Sequence, residues 1–189
     1  MPTTVKHKIC VFFLFLLIII PETSFAQVAK LTNIAITRHN NQLLFKMNLD
    51  GAFTDDMKTA ITSGIETSFT FYIKLYKIND LWFNDKLSEI LLTNTIKYDN
   101  LKNVYIVSRS WKNGEPVTTE SFKNAQELMT RIDELKLVQL DKLEKNSHYR
   151  IETKAEVSKF TLPFYLHYVF AFVSLWDFET DWYMIDFVY

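Results

Sequence analysis

The chain has 189 residues, 48% of them apolar and 15% aromatic, with 21 basic against 22 acidic side chains. That length suits one domain with a substantial core, and the apolar content excludes a disordered chain. So even a charge balance leaves no electrostatic footprint for nucleic acid or an anionic membrane.

In chain order, the first feature is a leader. Lys6, His7 and Lys8 form a basic head, residues 9–20 an unbroken apolar run, and Pro21-Glu22 its end. Ser24 and Ala26 place small residues at the minus-three and minus-one positions of a cut after Ala26, the layout of a secretory signal peptide. The apolar run is twelve residues long, short of the roughly 20 that span a bilayer. The expected organisation is a signal peptide over 1–26, cleaved after Ala26, and a single β-rich domain over 27–189, exported to the periplasm. Removing Lys6, Lys8 and Glu22 leaves 19 basic and 21 acidic residues. The only cysteine, Cys10, leaves with the leader, so the mature chain has no disulfide, thiolate nucleophile or thiolate metal ligand.

Most of the chain beyond the leader reads as strands. Residues 31–38 and 43–49 are candidates, and Asn40-Asn41 between them suggests a hairpin turn, since Asn tolerates positive φ. Thr54 is the expected N-cap of a helix. Asp55 and Asp56 complement its dipole, Met57, Ala60 and Ile61 form its buried stripe, and Gly64 ends it. Over 65–78, Ile65, Thr67, Phe69, Phe71, Ile73 and Leu75 occupy the odd positions and Glu66, Ser68, Thr70, Tyr72, Lys74 and Tyr76 the even ones, which marks a long strand with one buried face. Shorter strands are expected over 89–98, 104–111 and 135–140.

A second helix is expected from Thr118 or Thr119, because Phe122, Ala125, Leu128, Met129, Ile132 and Leu135 recur at three- and four-residue spacing. Residues 149–157 alternate again. Leu143 followed by Tyr149, Ile151, Thr153 and Ala155 resembles the approach to the penultimate strand of fibronectin type III domains, where a tyrosine hydroxyl bonds back to the preceding turn. Asn146-Ser147 stands where that turn usually carries Pro-Gly. Alternation with one polar face belongs to antiparallel sheets. The expected fold class is therefore mainly β, in the α+β sense: an antiparallel β-sandwich, with an immunoglobulin- or fibronectin-III-like arrangement as one option, carrying two or three helices.

Between residues 160 and 189, twelve of thirty side chains are aromatic, and 160–176 carry no formal charge. A core helix followed by a core strand is the favoured reading, ahead of a partly exposed surface for a partner or lipid. A membrane span would put Asp177, Glu179 and Asp181 on the cytoplasmic side, against the basic-inside bias. The two helices spoil the strand count of an outer-membrane barrel.

The search for chemistry returns little. His39, His148 and His167 lack neighbours at metal-ligand spacing. Gly51, Gly64 and Gly114 are too scattered for a phosphate loop, and no Gly-x-Ser-x-Gly occurs. Asp55 and Asp56 diverge by about 100° on a helix. Asp85 and Asp99, with Trp82 and Tyr98 nearby, are the carboxylates a glycan-directed hydrolase would use, and they would have to lie about 5 to 9.5 Å apart.

The order of segments carries a resemblance. Leu49-Asp50-Gly51-Ala52-Phe53-Thr54, Ser63-Gly64-Ile65, Trp82-Phe83-Asn84-Asp85, Thr95-Ile96-Lys97-Tyr98-Asp99 and Val104-Tyr105-Ile106-Val107, with the closing aromatic stretch, resemble a bacterial family of exported proteins known as domain of unknown function 4390. The resemblance implies an exported or envelope-associated single domain in Gram-negative-type bacteria. It brings no activity and no site residues. Lys77 and Phe83 stand where members of that family tend to have Arg and a second Trp.

The expected function is thus a non-catalytic binding or accessory module that contacts an envelope protein or component, without nucleic acid, cofactor, metal or catalytic residue. Trp82, Trp111 and Trp176 are the candidate contact residues. The alternatives are a periplasmic glycan-directed hydrolase and a membrane-associated protein held by its aromatic segment, the latter not favoured.

Overall fold

The computed structural model describes residues 29–79, 81–112, 115–157 and 178–189. The leader, the aromatic segment 160–176 and Trp176 lie outside them. Two antiparallel sheets face each other. The smaller contains β1 (Lys30–His39), β2 (Gln42–Asp50) and β7 (Arg131–Gln139), in the order β1-β2-β7. The larger contains β3 (Thr67–Lys77), β4 (Asp85–Asp99), β5 (Val104–Arg109), β6 (Val117–Thr119), β8 (His148–Val157) and β9 (Tyr183–Val188), in the order β6-β5-β4-β3-β8-β9.

This is an immunoglobulin-like order. β1, β2 and β7 stand where strands A, B and E stand in that architecture, and β3, β8 and β9 where C, F and G stand. β4, β5 and β6 extend the second sheet. The corner tyrosine is in place: the Tyr149 hydroxyl accepts from the Glu144 amide at 2.7 Å and faces its carbonyl at 3.4 Å. Its ring, 1% exposed, stacks on Phe187 at 5.5 Å.

Alternation does the packing. Leu43, Phe45, Met47 and Leu49 of β2 point inward against Phe69, Phe71, Ile73 and Leu75 of β3 and Ile151 and Ala155 of β8, all buried. Thr153 bridges the layers, its hydroxyl 3.4 Å from Met47 Sδ. The first connection is a two-residue hairpin with Asn40 at φ 44° and Asn41 at φ 59°, the all-positive turn that suits twisted strands.

Among the described residues, two α-helices cover the sandwich. In α1 (Asp55–Thr62), Thr54 Oγ1 accepts from the Met57 amide at 3.2 Å, and Met57, Ala60 and Ile61 are buried. Gly64 follows at φ 89°. The second helix, α2 (Phe122–Thr130), is shorter than the apolar spacing suggests, and Ser121 caps it rather than Thr118 or Thr119. Residues 117–119 form β6 instead, a strand too short to show alternation. Ile132 and Leu135 belong to β7, not to a helix. A β-bulge explains their spacing: Phe45 pairs with Leu135 and Met47 with Ile132, so three steps on β7 match two on β2. The extra residue lets positions three apart both face the core.

Candidate contact surface

Strands β3 and β4 pair from Thr67↔Ile96 to Lys77↔Asp85 and form a long hairpin. The loop at its end is closed by a polar clasp. Asn79 Nδ2 donates to the Phe83 carbonyl at 3.0 Å and to Asp85 Oδ2 at 3.1 Å, while its amide donates to Asn84 Oδ1 at 3.3 Å. Asn79, Asn84 and Asp85 turn to one another, and the apolar side chains turn out. Leu81 is 95% exposed, Trp82 79% and Phe83 83%. Among the described residues their one ring contact is with each other, Trp82 edge-on to Phe83 at 6.1 Å. Covering such a side chain is worth about 2 kcal/mol, so three left in water form a strong unused contact. The tip shares its end of the sandwich with the Asn40-Asn41 turn and the β7–β8 connection.

The outer face of the larger sheet carries a second aromatic group. Tyr72 donates to Glu156 Oε1 at 2.6 Å, and its ring lies 6.4 Å from Trp182. Lys74 sits 4.7 Å over the Trp182 ring and Lys154 5.2 Å, with Lys154 also paired to Glu179. The Glu156 carboxylate that accepts the Tyr72 proton raises that phenol above its ordinary range. The bond to Glu179 likewise raises Lys154. With two ammonium groups over its indole, Trp182, 37% exposed, is engaged by its own neighbours.

The residues picked out from the sequence separate. Trp82 lies at the exposed tip. Trp111 does not join it: it is half-buried in the turn after β5, its Nε1 donating to Asn94 Oδ1 at 3.3 Å, with Arg109 and Lys112 against its ring. Asn94, fully buried, in turn donates to the Met129 carbonyl at 2.8 Å, so Trp111 is tied into the fold. Asp85 and Asp99 sit at opposite ends of β4, fourteen residues apart, or about 46 Å along an extended strand. That separation removes the carboxylate pair. Each instead shapes a turn: Asp85 Oδ2 accepts from Asn79 Nδ2, and Asp99 Oδ1 accepts from the Leu101 and Lys102 amides at 2.9 and 3.1 Å.

Among the described residues, no group of three or more His, Asp, Glu or Cys could hold a metal ion, and no helix is long and apolar enough to cross a membrane. Leu81 and Phe83 escape sequence reasoning as contact residues, although the signal is present. Asn79-Asp80 and Asn84-Asp85 are turn formers, so a bulky trio between them has no strand face to join.

Comparison with known families decides membership. The model of a domain of unknown function, DUF4390, matches residues 26–186. The chain belongs to this family. The DUF4390 match begins ahead of β1 and ends within β9, so both sheets and both helices fall inside it but for the last residues of that strand. Neither a curated protein nor a solved structure matches the chain.

Proposed function

We propose that this DUF4390 domain is an exported envelope module that binds a protein partner through the β3–β4 tip and works without catalysis. One observation carries the reading: Leu81, Trp82 and Phe83 project together into water from a loop clasped by the Asn79 side chain. Loops at the end of a sandwich are where this architecture displays binding residues on a rigid support. A protruding trio fits a cavity on a partner. The charged residues that flank it in the sequence, Lys77, Asp80, Asp85 and Lys86, cancel, so an anionic lipid surface gains little from them. The leader pattern over 1–26 supports export, with the periplasm as the compartment.

The test is Leu81→Ser, Trp82→Ser and Phe83→Ser combined in the full chain. The expected result is an unchanged unfolding midpoint together with loss of the species crosslinked to the wild-type protein in the envelope fraction. Crosslinked species identical for variant and wild type would refute the reading. So would wild-type binding to protein-free lipid vesicles that accounts for all envelope retention.

A further inference from the structure

A second site stands apart from the tip, on the flank of the sandwich. The inward row of β5 runs Tyr105, Val107, Arg109, and the first two are buried core residues. By strand parity Arg109 continues that row, opposite the fully buried Asn94. A guanidinium in this position needs an acceptor. Its Nε is buried and has no hydrogen-bond partner among the described residues, and the Trp111 ring lies 5.7 Å from the guanidinium carbon. Orphaned buried donors are rare in folded proteins and call for an explanation.

Beside Arg109 opens a cleft of about 470 Å³, walled by β6, α2 and the start of β7. Thr118, Thr119 and Asn124 line it with hydroxyl and amide groups. Arg131 lines it too, but its Nε is held by Asp133 at 2.7 Å. The volume suits a small ligand or the end of a chain. The charge of the lining selects among anions. Arg109 is the lining cation without a carboxylate partner among the described residues, while Glu127 and Asp133 border the same space. Those two carboxylates oppose a phosphate dianion more than a monoanion. A planar carboxylate also matches the fork of an arginine.

We propose that this cleft binds a carboxylate group, with Arg109 as the residue that holds it. The site is independent of the β3–β4 tip. A carboxylate can come from a free small acid or from the C-terminus of a peptide, and the experiment separates these sources.

The experiment titrates the full chain, followed by amide NMR, with acetate, with a short peptide bearing a free C-terminus, with the same peptide amidated, and with inorganic phosphate. Saturable shifts at Thr118, Thr119 and Asn124 are expected with acetate, the free peptide or both, and none with the amidated peptide. A response to both points to the bare carboxylate, and a response to the free peptide alone to a chain end. Arg109→Met keeps the aliphatic stem in an inward row and should fold. It should weaken binding roughly tenfold to a hundredfold, as expected for losing bonds to a charged group. Lys112→Met should leave binding unchanged. The proposal is overturned if Arg109→Met binds as the wild type does, if the amidated peptide binds equally, or if phosphate is preferred. It is also overturned if no ligand shifts these amides while the dispersion of the wild-type amide spectrum reports a folded protein.

Discussion

Asn94 shows how much one buried polar side chain can organise. It is fully buried on β4 and links the end of α2, through the Met129 carbonyl, to the turn that carries Trp111. Asn94→Ala strands both partners, so a loss of about 2 kcal/mol is expected in urea denaturation. Exposed pairs matter through pH instead. The bond from Arg150 holds Asp186 below its ordinary value of 3.8, and the bond from Lys86 holds Glu89 below 4.5. A depressed folded value means that the stabilisation is complete above those ordinary values and is lost as pH falls through the folded ones. Urea midpoints should therefore drop below about pH 4.5, and Asp186→Asn with Glu89→Gln should flatten that acid decline. Lys77 and Lys154, raised mainly by their bonds to Glu144 and Glu179, act on the alkaline side: their contribution is present below 10.5 and fades as pH rises through the folded values.

The bulge on β7 is the element on which the sequence misleads. Glu134 sits there at φ 52°, in the left-handed region. Ordinary strand preference ranks Val well above Gly. At Glu134 the order should invert: Glu134→Val is expected to lower stability by about 1 kcal/mol, while Glu134→Gly leaves it equal or higher, measured by thermal unfolding. The ordinary order, Val above Gly, would show that the bulge does not form. The strands that alternate cleanly, β3 and β8, are legible from the sequence because a uniform period of two survives along their whole length. α1 is legible because cap, acidic first turn and glycine stop coincide. The end of α2 is not, since a bulge that brings Ile132 and Leu135 to one face imitates helical spacing. Arg109 escapes for a related reason: its parity is visible, but its missing acceptor depends on which strands and helix surround it.

At the level of the domain, the immunoglobulin-like order is anticipated by the Leu143…Tyr149 pattern, yet the extension through β4, β5 and β6 is not. That extension positions both candidate sites. The β3–β4 hairpin carries the Leu81-Trp82-Phe83 tip beyond the sandwich, and β5 with β6 forms one wall of the Arg109 cleft. Of the three tryptophans read as contact candidates, Trp82 is the exposed one among the described residues, and Trp111 is claimed by Asn94. A two-sheet body that displays an apolar loop is the physical content of a binding module. The most direct measurement places a photo-crosslinking amino acid at position 82 in the living cell, with position 123, on the exposed face of α2, as the control. The expected result is a discrete adduct from position 82 that is absent from position 123 and lost when Leu81 and Phe83 are changed to Ser. No adduct from position 82, or the same adducts from both positions, would contradict the account.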